Sequence, residues 1–188
     1  PTPAAPGPRP ADNDLVLGDS AVSARPMHEA SGSTATDWAS LSDLALTNGT
    51  TRGVDGKDVP PTAKATRFSG ANGVSGSTPT ATTGPQRFSV EAWFRTTSTS
   101  GGKIVGFGNA KTGTSSSYDR HIYMNNSGRL TLGVHPGMVR EITTAGSYNA
   151  GAWPPVVGPL AGSGVTGWGD GVAAGRRRGG RAGGAAGG

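Results

Sequence analysis

One short segment combines an aromatic ring, two opposite charges and an imidazole: Tyr118-Asp119-Arg120-His121. A Tyr ring offers a flat apolar face with a polar tip, and Asp and Arg form charge-assisted hydrogen bonds. Together these groups suit the hydroxyl groups of a sugar. The structural alternative is that Asp119 and Arg120 order their own loop while Tyr118 covers an edge of the fold. The residue types leave both open.

Tryptophan supplies a wide stacking surface, and the chain has four. Trp38, Trp153 and Trp168 are candidate sugar platforms, whereas Trp93 lies in a strand-like pattern for which packing is the default. We add Trp153 to the four residues of the 118–121 segment as the predicted ligand-binding set.

Glycan hydrolysis needs two carboxylates about 5–10 Å apart. The chain has three Glu, at positions 29, 91 and 141, and none has another carboxylate two or four residues away. Glu91 is the candidate that would line a groove, with a solvated strand residue as its alternative. No G-x-S-x-G motif marks a serine nucleophile. We therefore predict that the chain is not an enzyme, with a glycan hydrolase as the alternative.

Calcium is the metal to consider, because it takes six to eight oxygen ligands from carboxylates and carbonyls. Four side chains are candidate donors: Asp37, Asn48, Asp119 and Asp170. We select Asp37 and Asp170 as the predicted metal residues, and turn formation by Asp is the alternative. The three His are scattered without metal-ligand spacing, and Cys is absent.

Composition limits the classes of protein that remain. Of 188 residues, 33 are Gly, 14 are Pro, 33% are hydrophobic and 15% are charged. No apolar run approaches the roughly 18 residues of a membrane helix, so we expect no membrane insertion. Without Cys there is no disulfide scaffold. What remains is an all-β domain with Gly/Ser/Thr-rich loops, or a domain flanked by low-complexity tails.

The net charge of +5 includes four Arg at positions 176, 177, 178 and 181. The body of the chain is therefore nearly neutral, and a broad nucleic-acid face is not expected. Residues 172–188 consist almost entirely of Arg, Gly and Ala, which cannot bury a core, so we predict a disordered tail there. RNA binding by that tail is the functional alternative.

Short alternating segments dominate residues 88–149. In residues 88–94, Phe88, Val90 and Phe94 share one face of a predicted strand, and Glu91 lies on the other. Further strands are predicted at 103–107, 120–124 and 129–134, the last two joined by the turn sequence Asn-Asn-Ser-Gly. Two Pro near Trp153 argue against a central strand at 153–157. Short strands separated by Gly-rich turns indicate a sandwich or jelly roll.

These segments resemble the laminin-G-like jelly-roll domains of secreted bacterial multidomain proteins, within the concanavalin A-like lectin/glucanase superfamily. The resemblance rests on FSVEAWFRTT (88–97), GGKIVGFGNAKTG (101–113), SSSYDRHIYMNNSGRLTLGV (115–134) and SYNAGAW (147–153). Upstream, HEASGSTATD (28–37) and RFSG (67–70) also match, and 165–171 looks like the Asp-Gly hairpin of the family.

The sequence departs from the family where it reads Pro154-Pro155 instead of His-His, and where the Arg-rich segment replaces further strands. The resemblance therefore implies an all-β, antiparallel β-sandwich (jelly roll) that is incomplete at its C-terminal end. We assign residues 12–171 to this domain. Residues 1–11 are Pro-rich and predict a linker to other domains of a parent chain.

The expected function is that of a secreted or cell-surface module. It would bind a polysaccharide or glycoconjugate, or act in adhesion and spacing, without catalysis. No cofactor is firmly implied beyond the candidate calcium ion.

Overall fold

Every second residue of the strand Phe88–Trp93 is turned away from solvent, and the same alternation orders the core of the strands that follow. The computed structural model describes residues 17–40, 42–56, 64–135, 139–161, 164–169 and 172–178. Within these ranges the strands are β1 Thr34–Ala35, β2 Leu44–Leu46, β3 Thr50–Asp55, β4 Lys64–Phe68, β5 Gly76–Ser77, β6 Phe88–Trp93, β7 Gly102–Gly108, β8 Tyr118–Met124, β9 Arg129–Val134, β10 Arg140–Ser147, β11 Pro155–Ala161, β12 Gly164–Gly169 and β13 Val172–Arg178.

Where the sequence predicts one domain at 12–171, the Cα positions divide the chain into two compact units. The first comprises Pro1–Thr82 with Ala110–Ser115, and the second Thr83–Asn109 with Ser116–Gly188. The first unit contains a three-stranded sheet in the order β1-β2-β5 and a two-stranded sheet of β3 and β4. All of its described pairings are antiparallel.

The second unit contains two four-stranded antiparallel sheets, in the orders β10-β9-β8-β7 and β13-β12-β11-β6. The inner faces of these sheets enclose the core, so the predicted all-β antiparallel sandwich is confirmed. The hairpin between β8 and β9 is also confirmed, because the amide of Asn125 donates to the carbonyl of Arg129 and Gly128 closes the turn with φ of 74°.

The core of the second unit is built from alternate residues of β8, β9 and β10. Its buried members are Ile122, Met124, Leu130, Leu132, Val134 and Ile142. From the opposite sheet, Phe88, Val90 and Ala92 of β6 pack against this cluster. The backbone of β11 also lies close to this cluster, since a Cβ placed on Gly158 would lie 2.9 Å from a methyl group of Leu132. The two sheets are therefore in direct van der Waals contact.

The strand β11 runs between β6 and β12, where the proline content predicts no central strand. Two features of the pairing accommodate the prolines. Pro155 is the first residue of the strand, a position that needs no donated hydrogen bond. The ladder with β12 pairs Val157 with Trp168 and resumes at Leu160, so it is interrupted around Pro159.

Residues 172–178, predicted to be part of a disordered tail, form β13 and pair along β12 from Gly169–Val172 to Gly164–Arg178. A strand thus follows residue 171, where the sequence predicts the sandwich to stop. Backbone pairing explains the difference, because ladder hydrogen bonds do not depend on side-chain size. Residues 179–188 and the predicted linker 1–11 lie outside the described residues.

Replacing Leu132 with Ala should lower the free energy of unfolding by about 2–5 kcal/mol, because the lost methyl groups leave a cavity between the sheets. Val139→Ala is the control, since Val139 is 64% exposed, and its effect should stay within about 0.5 kcal/mol. Urea unfolding of both variants measures the difference. Equal stabilities would contradict the sheet packing described above.

Candidate functional site

The strand β8 separates its side chains between the core and the outer surface of its sheet. Ile122 and Met124 are buried in the core, so His121 and Tyr123 face outward. Tyr118 begins the strand and is 57% exposed. The strand therefore places two Tyr rings and one imidazole on the outside of the sandwich.

These three rings form a continuous row. The ring of His121 meets Tyr118 edge-on, with centroids 5.1 Å apart and planes at 88°, and meets Tyr123 at 5.0 Å and 33°. Both separations lie in the range of favourable aromatic pairs. The row presents aromatic surface on a rigid strand rather than on a loop.

A carboxylate completes the group. In the register of the sheet, His121 pairs with Gly133, and Gly133 pairs with Glu141 of β10. The hydroxyl of Tyr123 donates to Oε1 of Glu141 at 3.2 Å. We call Tyr118, His121, Tyr123 and Glu141 the outer-face cluster.

Gly133 lies beneath the outer-face cluster and allows two of its members to approach each other. A Cβ at Gly133 would stand 3.5 Å from Cε1 of His121 and 3.7 Å from Oε1 of Glu141. The imidazole edge and the carboxylate therefore reach the same small area of the sheet surface.

Burial lowers the pKa of His121, and the charge of Lys103 acts in the same direction. Glu141 and Asp119 oppose this shift without reversing it. Burial also raises the pKa of Tyr123. Both shifts favour the uncharged form, the neutral imidazole of His121 and the neutral phenol of Tyr123.

Gly106 of β7 makes room for His121. The pairing of β7 with β8 is irregular on both sides of Val105, and a Cβ at Gly106 would collide with Cα and Cβ of His121. Only a residue without a side chain fits at this point.

Asp119 and Arg120, predicted as ligand-binding residues, are engaged in contacts within their own unit. The amides of Arg120 and His135 donate to Oδ1 of Asp119 at 2.7 and 2.6 Å. The guanidinium of Arg120 pairs with Asp119 and donates to the carbonyl of Pro85 at 2.7 Å. Arg120 also has φ of 46°, which is uncommon for a residue with a side chain. These contacts match the structural alternative, in which the pair orders its surroundings.

Trp153 lies at the other end of the sandwich from Tyr118. It lies two residues before the start of β11. The first residue of β11 pairs with Trp93 at the end of β6, and the amide of Gly151 donates to the carbonyl of Thr96 in the loop after β6. Tyr118, in contrast, pairs with Gly108 at the far end of β7. The structure therefore does not bring Trp153 together with the 118–121 segment.

The surroundings of Trp153 form a shallow pocket of about 140 Å³ lined by Ser147, Tyr148, Ala150, Ala152, Trp153 and Pro154. The guanidinium carbon of Arg95 lies 5.3 Å from the centre of the Trp153 ring, a cation–π distance. The indole nitrogen of Trp153 is buried without a hydrogen-bond partner. The ring is thus packed on one side by Arg95 rather than offered as an open platform.

Asp37, predicted as a metal residue, is a buried carboxylate that is 5% exposed. Six groups surround its oxygens within hydrogen-bond or ion-pair distance: the amides of Ala24, Ala39 and Ser40, the hydroxyls of Ser23 and Ser40, and the guanidinium of Arg25. Burial acts to raise its pKa, but the hydrogen bonds outweigh that effect and lower the pKa to about 2.

A calcium ion at Asp37 would have to displace these donors, so the carboxylate as arranged does not fit a calcium ligand. Across the part of the chain that the structure describes, no three His, Cys, Asp or Glu side chains are grouped to hold a metal. Asp170 lies outside the described residues, and calcium binding stays a prediction.

Sequence reasoning singled out Tyr118 and His121 but missed Tyr123 and Glu141 as members of one site. For Tyr123 a signal was available, because strand alternation places it on the same face as His121. For Glu141 none was, since its position opposite His121 depends on the register of β10 with β9.

The comparisons with known proteins agree with this architecture. Residues 68–187 match the sequence model of a laminin-G family described as the concanavalin A-like lectin/glucanases superfamily. The chain belongs to this family, and the predicted laminin-G-like jelly-roll domain is thereby confirmed. Neither a curated protein nor a solved structure gives a significant match to the chain. In the described residues, no helix has the length and apolar character needed to cross a membrane.

Asp37→Asn should destabilise the protein by about 2 kcal/mol at pH 6, because the folded state holds the ionised carboxylate with a pKa of about 2 against an ordinary value of 3.8. Because the pKa of Asp37 is lower in the folded state than its ordinary value, the ionised carboxylate stabilises the folded state at pH values above about 4. This stabilisation is lost as the pH falls from about 4 to about 2. The gap between wild type and variant should therefore narrow over that window in thermal unfolding. Asp55→Asn is the control, since Asp55 is 74% exposed. A gap that does not change with pH would contradict the prediction.

Gly106→Ala should move β7 away from His121 and cost about 1–3 kcal/mol of stability, the usual range for overpacking. Gly102→Ala on the same strand is the matched control, because a Cβ there meets nothing within 4 Å. Thermal unfolding gives the stability, and NMR shifts of the His121 ring report the displacement. Equal effects of the two variants would show that the approach of Gly106 to His121 is not tight.

Proposed function

We propose that this chain is a non-catalytic carbohydrate-binding module of a secreted or cell-surface protein, and that it binds sugar on the outer-face cluster. The observation that carries the proposal is the row of Tyr118, His121 and Tyr123 beside the exposed carboxylate of Glu141. Membership of a superfamily that includes lectins supports it.

The chemistry of the cluster suits a sugar ring. Exposed aromatic faces accept the apolar faces of a pyranose, and the phenol tips add polar contacts. A carboxylate forms strong charge-assisted hydrogen bonds with hydroxyl donors. The rigid sheet holds both kinds of group in place before a ligand arrives, which lowers the entropic cost of binding.

The positions of the glutamates support binding without hydrolysis. Glu91 is exposed on the outer side of β6, while Glu141 is exposed on the outer side of β10 in the opposite sheet. Packed sheets lie about 10 Å apart, so these two carboxylates cannot flank one glycosidic bond at the separation that hydrolysis needs. Glu29 is held by Arg52 and by the amide of Thr36.

The protein should gain thermal stability in the presence of a polysaccharide that it binds, in proportion to the occupancy of the site. Thermal unfolding against a panel of neutral and acidic glycans, with and without calcium, identifies the ligand. Tyr123→Phe and Glu141→Gln should reduce the shift, whereas Glu91→Gln on the opposite sheet should leave it unchanged.

A panel in which no glycan shifts the unfolding temperature would favour adhesion or spacing instead. Release of reducing sugar that Glu91→Gln abolishes would favour the glycan hydrolase.

A further inference from the structure

The imidazole of His121 has one buried nitrogen and one that is not. Nδ1 is buried without a hydrogen-bond partner. Among the described residues, none forms a hydrogen bond with either ring nitrogen, and only Nδ1 is enclosed. The two nitrogens are therefore in different environments, within an imidazole that contacts the rings of Tyr118 and Tyr123.

This difference bears on where the single proton of the neutral ring resides. A neutral imidazole has one N–H donor and one bare acceptor nitrogen. A buried N–H without an acceptor is rare in folded proteins because it forfeits its bond to water. A proton on Nε2 avoids that cost. A second proton on Nδ1 would add a buried charge to the cost, and the lowered pKa of His121 agrees with this.

The neighbouring groups add an acceptor beside this donor. Oε1 of Glu141 accepts the hydroxyl of Tyr123 at 3.2 Å, and the Glu141 side chain is exposed to solvent, so its carboxylate keeps lone pairs that a ligand can reach. Cε1 of His121, which is bonded to both ring nitrogens, lies above the same glycine as Glu141. The imidazole that carries the N–H donor and the carboxylate acceptor thus stand side by side over Gly133.

We propose that His121 is held as the Nε2–H tautomer and that its N–H and the carboxylate of Glu141 receive two neighbouring hydroxyl groups of one sugar ring. The first hydroxyl accepts from Nε2–H, and the second donates to Glu141. The ligand half of this inference rests on the proposed function, whereas the tautomer does not. His121 is then the residue that selects for a hydroxyl pair, and the Tyr rings supply stacking that any sugar would share.

The tautomer is measured directly by long-range ¹H–¹⁵N NMR on the uniformly labelled full chain at pH 7.5. The expected pattern has the proton on Nε2, and the signals are assigned by their loss in His121→Gln. A ring protonated on Nδ1, or on both nitrogens, would overturn the inference whether or not a sugar binds.

The ligand half is tested by titrating neutral tetrasaccharides of gluco, manno and galacto configuration, with oligogalacturonate as the acidic probe. His121→Phe keeps a stacking ring but removes the donor, so it should bind about tenfold more weakly, the effect of one lost hydrogen bond. His121→Gln keeps an N–H donor and should restore much of the affinity. Glu141→Gln should weaken binding by a similar factor, and Glu91→Gln should not.

Two outcomes of the titration would overturn the assignment. Wild-type affinity in His121→Phe would show that the ring binds only by stacking. Acidic sugars that bind about tenfold more tightly than neutral ones would show that the charge of Lys103 determines ligand preference instead of His121. Lys103 pairs with Tyr123 in the register of the sheet. If no sugar binds at all, the proposed function is overturned together with the ligand half, while the NMR result still decides the state of His121.

Discussion

The contact of β8 and β9 with the opposite sheet is the constraint on which the surface of this protein depends. Ile122 and Leu132 fill the space beneath the backbone of β11 at Gly158. Because strand side chains alternate, filling that space forces His121 and Tyr123 onto the outside. A shift of β8 by one residue would bury the imidazole and expose the core. The hydrophobic packing therefore fixes the position of the outer-face cluster.

Burial has opposite outcomes for the charge of two polar groups, the carboxylate of Asp37 and the imidazole of His121. The carboxylate of Asp37 is enclosed by N–H and O–H donors and an Arg, so the folded state favours its ionised form. Nδ1 of His121 has no partner, and burial instead favours the neutral ring. A fully satisfied group stabilises the fold, whereas a buried nitrogen without a partner carries a desolvation cost that the surrounding packing must offset.

The charged pair next to this surface serves a different purpose. Asp119 and Arg120 bind each other, the amide of His135 and the carbonyl of Pro85. Their contacts tie the start of β8 to two neighbouring segments and hold Arg120 in its unusual backbone conformation. Within residues 118–121, Asp119 and Arg120 therefore order the start of the strand, whereas Tyr118 and His121 lie at the surface.

The period-two pattern of residues 88–94 and 129–134 determined the strands, the inward faces and the sandwich class without any structure, because alternation is a local property of an extended chain. Tertiary structure alone decided three further points. Backbone pairing with β12 formed a strand at Val172–Arg178, where side-chain composition predicts none. The strand pairing placed Trp153 and Tyr118 at opposite ends of the sandwich. The register of β10 with β9 brought Glu141 to His121. Each depends on which residues meet across strands, and spacing along the chain does not encode that directly.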